Sequence, residues 1–306
     1  MRLCLLGGFE AWTPRASDPL QFPTRKAEAL LAYLCVRSEV RHRRDHLSTL
    51  LWGDVSHPQA RHSLRQTLTD IRATLREYSH SMIEASSDAI HVEAPRVRVD
   101  VHSFERLVHG ARTRRRAAMA CALYRGDFLQ GINVREPDFD TWLTAERARL
   151  RQLAIEAHER YLRLLIEAND VGGAIQAALR LIGLDPLQEW AHRALIRLYV
   201  ERGQLAMAVA QYNQCEQIMA SELGVEPEPE TKRLRQELLR ARAKATGKAD
   251  VTAADGPRDA AGEPPPRRRT PGDAPAPLRE EWHRRKRADH SPRVRDPWRW
   301  RTKGNG

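Results

Sequence analysis

The chain has 306 residues, of which 41% are hydrophobic, so it can bury the cores of two ordinary domains. Lys and Arg number 51 against 40 Asp and Glu, which gives a net charge of +11. No apolar run reaches the roughly 18 to 20 residues of a membrane helix, and the N-terminus has no signal-peptide pattern, so we expect a cytoplasmic protein without membrane contact. Four widely spaced cysteines without a CxxC pair argue against a disulfide framework or a zinc knuckle.

The first hundred residues predict a small α+β domain. Short β-like runs are expected at residues 2–9 and 20–22. Three amphipathic helical segments follow, at residues 24–36, 43–52 and 58–76. A β-hairpin is then predicted from residues 83–85 and 90–92, which flank Ser86-Ser87-Asp88. Strands, three helices and a closing hairpin are typical of a winged helix-turn-helix.

The third helical segment has the side chains that major-groove recognition needs. At about 100° per residue, an apolar stripe forms from Ala60, Leu64, Leu68, Ile71 and Leu75. The outer face consists of His62, Gln66 and Thr69, and its flanks carry Arg61, Arg65, Arg72 and Arg76. Arg can bond guanine and Gln can bond adenine in a bidentate manner, so we predict base contacts by Arg65 and Gln66. Asp70 is placed away from Gln66, where it would pair with a neighbouring arginine.

The start of the second helix adds to this basic region. Residues 24–76 hold 10 basic and 5 acidic side chains, which is the electrostatic footprint expected of a phosphate-binding surface. We predict phosphate contacts by Arg43 and Arg44. A charged helix alone is also typical of an ordinary solvated surface, but the short helix before it and the hairpin after it favour DNA recognition. Trp52 and Trp142 are expected to be core residues rather than partner anchors.

The region from residue 138 to residue 242 is helical in pattern and repeats with a period of 34. A shift of 34 places Ala157 on Ala191, His158 on His192 and Ala174 on Ala208. Chain breaks at residues 169–170 and 202–203 coincide in the same way. This is the period of the tetratricopeptide repeat (TPR), in which pairs of helices pack with small residues at their contacts.

The last segment, residues 247–306, holds nine of the 18 prolines and a net charge of +6. We predict that it is disordered and adds sequence-independent affinity for DNA. Its three tryptophans, Trp282, Trp298 and Trp300, either stack on nucleic acid or have no structured role, and both interpretations stay open.

Four stretches resemble the antibiotic regulatory proteins (SARP, AfsR/DnrI-like), a family of bacterial activators. Those similar to its OmpR-type DNA-binding domain read TRKAEALLAYL (residues 24–34) and ARHSLRQTL (residues 60–68). Those similar to its bacterial transcriptional activation domain read LYRGDFL (residues 123–129) and ELGVEP (residues 222–227). The resemblance implies a mainly α protein, with a winged helix at residues 1–100 and a TPR-like activation domain at residues 101–246. The tail at residues 247–306 resembles nothing in the family.

The resemblance also implies a function. It implies a cytoplasmic transcriptional activator, associated with the nucleoid when bound to DNA, that binds repeats in double-stranded promoter DNA as a homodimer or tandem pair and recruits RNA polymerase. On matching positions it implies base or phosphate contact by Arg61, His62, Arg65, Gln66, Thr69 and Arg72. It places a polymerase-contacting surface in the loop at residues 53–58, where Asp54 and His57 are the expected contacts.

Other functional classes find little support in the sequence. Nucleotide-binding and serine-hydrolase motifs are absent, so we expect no enzyme, cofactor or small-molecule substrate. The nearby histidines lack the usual metal-ligand spacings, and no metal is expected at His42, His46, His57 and His62. A TPR-like interaction scaffold with nonspecific nucleic-acid affinity is the alternative function. The arrangement of residues 24–92, which a scaffold does not need, favours the activator.

Overall fold

A computed structural model describes residues 1–14, 17–76, 82–93 and 97–253 of the chain. The predicted disorder of the tail beyond residue 253, and the three tryptophans within it, lie outside the described residues. Met1–Gly247 form one compact unit. Within the described ranges, no helix is both long enough and apolar enough to cross a membrane.

Two three-stranded sheets belong to the N-terminal domain. In the first, β1 (Arg2–Cys4) pairs antiparallel with β2 (Glu10–Trp12) and parallel with β6 (Arg98–Val99). In the second, the strand order is β3 (His42–Arg43), β5 (Ala89–Val92), β4 (Ile83–Ala85), with antiparallel pairing throughout. The β4–β5 hairpin is the predicted wing, and its position is confirmed.

The remaining strand predictions need correction. The expected strand at residues 2–9 ends at Cys4, because Gly7 and Gly8, with φ of 101° and 140°, turn the chain back into β2. Residues 20–22 are not a strand, although the Leu20 amide donates to the Ala11 carbonyl at 2.8 Å. Prolines on both sides of this segment lack the N–H groups that a ladder requires.

Three helices complete the winged helix, and they are α1 (Arg25–Val36), α2 (Arg44–Trp52) and α3 (His57–Leu75). The Thr24 hydroxyl caps α1 as predicted, accepting a hydrogen bond from the Ala27 amide at 3.1 Å. All five residues of the predicted apolar stripe of α3 are buried. The helix therefore presents its opposite face to solvent.

The region from residue 100 to residue 253, called the helical region below, contains only helices as regular secondary structure. Its helices are α4 (Asp100–His109), α5 (Arg114–Leu123), α6 (Pro137–Glu167), α7 (Val171–Leu184), α8 (Glu189–Glu201), α9 (Leu205–Ile218) and α10 (Pro229–Ala253), with a π-helical turn at Met219–Leu223. Because α10 continues to Ala253, the first seven residues of the predicted tail are helical.

The 34-residue repeat is visible in the packing. α6 packs against α7, and α8 packs against α9. Asn169 and Gly203, which are 34 positions apart, both adopt left-handed φ angles, of 54° and 70°, in the two equivalent turns. Ala174 and Ala208, also 34 apart, are fully buried where the helices meet. The TPR-like architecture is therefore confirmed.

Candidate nucleic-acid interface

The outer face of α3 carries the predicted polar side chains in exposed positions. His62, Gln66 and Thr69 are exposed there. Of the flanking arginines, Arg72 is half-buried, whereas Arg61, Arg65 and Arg76 are exposed. Burial of the apolar stripe fixes the rotation of α3, so these side chains are brought together on one accessible surface.

Positive charge is concentrated on the flank of α3 that faces α2 and the wing. Partial burial lowers the pKa of the Arg44 guanidinium, and the neighbouring charges of Arg72 and Arg65 lower it further. A cleft of about 490 Å³ lies beside them, and its wall includes Arg43, Arg61 and the wing residues Ser86 and Ser87. An anion bound on this flank would relieve the mutual repulsion of the arginines.

Arg44 also attaches the wing to α2. Its amide donates to the Asp88 carbonyl at 2.9 Å, and its Nε donates to the Ser86 carbonyl at 2.8 Å. Arg43, by contrast, is exposed at the N-cap of α2. Arg43 contacts the wing through its backbone, which pairs with Ala89, whereas the side chain of Arg44 itself bonds the wing.

Two carboxylates bond polar side chains of α3. Arg61 donates to Asp45 Oδ1 from Nη2 at 2.7 Å and from Nε at 2.8 Å. Gln66 Nε2 donates to Asp70 Oδ1 at 3.0 Å. The prediction that Asp70 lies away from Gln66 was wrong, because residues four apart in a helix lie only about 40° apart around its axis and therefore share a side.

The loop between α2 and α3 is short. Asp54 is exposed within it, and His57 is exposed as the first residue of α3 rather than as part of the loop. The Gly53 amide donates to Glu136 Oε2 at 3.1 Å. The backbone at the start of this loop is therefore held by Glu136 of the helical region.

Glu136, just before α6, is central to the junction between the winged helix and the helical region that follows it. Only 2% of it is exposed, and its Oε1 lies 2.6 Å from Lys26 Nζ on α1. The same ammonium lies 5.4 Å from the centroid of the Trp52 ring, a cation–π contact. Sequence reasoning missed Glu136, because a glutamate before a helix-starting proline gives no signal of a partner 110 residues away.

Further contacts join the two regions around β1 and α1. The Asp100 carboxylate accepts hydrogen bonds of 2.9 to 3.0 Å from the Leu5 and Leu6 amides. Trp142 of α6 is half-buried, and its ring centroid lies 4.7 Å from that of Tyr33 in an edge-to-face arrangement. The prediction of a core position is thus correct for buried Trp52, whereas Trp142 lies at the junction. In the described part of the chain, no three His, Cys, Asp or Glu residues are grouped to hold a metal.

Comparison with known proteins bears on the same regions. Residues 99–239 match the family described as the bacterial transcriptional activator domain. The chain is 26% identical over 263 residues to the regulatory protein AfsR of Streptomyces griseus, and 25% identical over 251 residues to AfsR of Streptomyces coelicolor. These alignments cover 83% and 79% of this chain but 26% and 24% of the relatives. The chain therefore spans about a quarter of the length of these relatives.

Among solved structures, EmbR of Mycobacterium tuberculosis in complex with a low-affinity phosphopeptide matches with a TM-score of 0.59 and 21% identity. The match covers 82% of this chain and 70% of that one, and it shows a shared fold. The resemblance inferred from the sequence is confirmed: residues 99–239 match the bacterial transcriptional activator domain, and the chain is similar to AfsR, a SARP-type regulator, over about four fifths of its length.

Proposed function

We propose that this chain is a sequence-specific DNA-binding transcriptional activator that binds promoter DNA through α3 and the wing and recruits RNA polymerase. The observation that carries the proposal is the exposed face of α3, where Gln66 stands beside a flank of clustered arginines. Residues 1–100 would be the DNA-binding domain, residues 101–246 the activation domain and residues 247–306 a basic tail. Binding to repeated sites would involve a homodimer or a tandem pair.

The division of labour follows from the positions of the side chains. The B-DNA major groove admits an α-helix. When α3 lies in the groove, residues on the outer face of α3 meet base edges and residues on its flanks meet phosphates. We assign base contacts to Arg65 and Gln66 and phosphate contacts to Arg43 and Arg44. Base or phosphate contact is assigned to the remaining residues on the outer face and flanks of α3: Arg61, His62, Thr69, Arg72 and Arg76.

The loop after α2 is the proposed polymerase surface. Asp54 and His57 are both exposed, and they project from a segment whose first amide is bonded to Glu136. A loop fixed at its base by the helical region can present the same surface in each bound copy. This arrangement supports a contact that is distinct from DNA binding.

The experiment that tests the proposal is selection of bound sequences from random double-stranded DNA with the full chain. We expect a repeated motif to be enriched. Equal recovery of all sequences would contradict sequence-specific binding and would favour the interaction scaffold, in which basic segments bind nucleic acid without reading bases.

A further inference from the structure

Asp70 determines which end of the Gln66 amide can face DNA. Gln66 Nε2 donates to Asp70 Oδ1 at 3.0 Å. An ionised carboxylate can only accept hydrogen bonds, so the nitrogen end of the amide must lie against Asp70. The carbonyl oxygen Oε1 and the second N–H of Nε2 then remain available to a ligand.

The surroundings of Asp70 differ from those of the acid on the other flank. The Asp45 carboxylate is paired with Arg61, whereas the Asp70 carboxylate accepts a hydrogen bond from the neutral amide of Gln66. Arg65 and Arg72, which crowd Arg44, lie on the opposite flank of α3, about 140° to 160° around the helix from Asp70 at about 100° per residue. Asp70 lines a cleft together with Leu20, Gln21 and Arg76.

The amide orientation matches one base and not another. Adenine presents an N6 donor and an N7 acceptor in the major groove, which fit the Oε1 acceptor and the remaining N–H of Gln66. Guanine presents two acceptors, N7 and O6, which require two donors. Turning the amide to offer both N–H groups to guanine would place Oε1 against the carboxylate, where two acceptors repel.

We propose that Asp70 is a specificity-determining positioning residue, which commits Gln66 to adenine by holding its amide nitrogen. This inference rests on the proposed function, because it concerns the base that Gln66 reads. The same carboxylate repels phosphates, so it also lowers the affinity for all DNA sequences. Loss of Asp70 should therefore raise overall affinity while reducing base discrimination, a combination that a merely structural residue would not produce.

The test is Asp70→Asn in the full chain, because Asn can donate as well as accept and so lets the Gln66 amide turn. Binding would be measured at one salt concentration to the selected site and to its guanine variant at the position that Gln66→Ala relaxes. We expect the preference for adenine over guanine to fall about tenfold, within the range of one bidentate contact. In a Gln66→Ala background, Asp70→Asn should change the preference no further.

Two other variants serve as controls. Asp45→Asn removes the same charge from the other flank without touching Gln66, and it should raise affinity for both sites while keeping their ratio. Asp70→Glu retains an acceptor-only group and should retain the preference for adenine. Circular dichroism melting would establish that each variant is folded. If Asp70→Asn does not fold, Asp70→Ala also removes the acceptor that holds the Gln66 amide nitrogen and takes its place in the test.

The outcomes separate this inference from the function on which it rests. An unchanged adenine preference in folded Asp70→Asn or Asp70→Ala overturns the role of Asp70 and leaves DNA binding by α3 intact. A wild-type preference for guanine at this position overturns it as well. If Gln66→Ala relaxes no position at all, base reading by Gln66 fails, and the role of Asp70 fails with it.

Discussion

The outer face of α3 and the junction between the two regions use carboxylates in opposite ways. At α3, Asp45 of α2 and Asp70 of α3 bond side chains at the surface, where water competes for every donor. At the junction, Glu136 and Asp100 are buried and accept bonds from backbone amides as well as from Lys26. An exposed ion pair stabilises a fold by about 0.2 to 1 kcal/mol, whereas loss of one partner of a buried pair costs about 3 to 5 kcal/mol.

This difference shows which side chains can exchange hydrogen-bond partners without destabilising the fold. Polar side chains on α3 can exchange partners between protein, water and DNA, because none of these exchanges leaves a buried group unsatisfied. The junction does not have this freedom. It fixes α1, the end of α2 and the start of α6 relative to one another, and so it sets the position from which α3 acts.

The largest expected effect is that of Glu136→Ala. The change leaves the half-buried Lys26 ammonium and the Gly53 amide without their acceptor. We expect a loss of about 2 to 4 kcal/mol in the free energy of unfolding, because Lys26 keeps partial access to water and the full cost of a buried pair is not reached. Urea denaturation measures this loss.

The control for that variant is Glu136→Gln, which removes the charge but keeps an oxygen for the Gly53 amide and should cost less. If Glu136→Ala lowered the unfolding free energy by less than about 0.5 kcal/mol, the junction would not differ from an exposed pair.

A smaller effect on the free energy of unfolding is expected from a change in pH, because two histidines of the helical region are buried. His192 lies in the activation domain, with Nδ1 2.8 Å from Gln211 Nε2 and Nε2 3.0 Å from the Pro186 carbonyl oxygen. Burial lowers its pKa, and burial also lowers the pKa of His158. Below the unfolded pKa of about 6.5, the unfolded chain binds protons that the folded histidines do not, so stability falls as pH falls.

Each histidine can contribute at most about 1.4 kcal/mol per pH unit to this slope. Denaturation between pH 7.5 and 5.5 measures it, and His192→Gln should reduce the slope. A slope that His192→Gln leaves unchanged would assign the pH dependence to other groups.

The smallest effect on the fold is expected at the exposed loop after α2. Asp54→Ala with His57→Ala should leave both the unfolding free energy and promoter affinity within about 0.5 kcal/mol of wild type, since neither side chain is buried. Transcription in a reconstituted assay with RNA polymerase should fall. A parallel loss of DNA binding would show that the loop contacts DNA.

Local patterns predicted much of the winged helix and of its exposed face. The period of α3 fixed the apolar stripe, and the Ser86-Ser87-Asp88 turn between two short apolar runs located the wing. In the same way, the 34-residue spacing located the turns at Asn169 and Gly203. Such features depend on residues close together in the chain, so their positions follow from sequence order.

The parts that were missed depend on distant partners or on very short elements. Strands β3 and β6 have two residues each, which is too short for an alternating pattern. Glu136 and Asp100 act through residues about a hundred positions away. Asp70 was misplaced although its partner is local, and the rule that residues one helical turn apart share a side would have found the bond to Gln66.

The central claim, that α3 reads bases from its outer face while its flank and the start of α2 hold phosphates, is tested most directly by comparing Gln66→Ala with Arg43→Ala. Affinities for the selected site and its single-base variants would be measured over a series of salt concentrations. We expect Gln66→Ala to cost about 1 to 3 kcal/mol at the selected site and to relax one position, and Arg43→Ala to weaken all sites alike and reduce the salt slope by about one unit. Equal binding of Gln66→Ala and wild type to every variant site would contradict the claim.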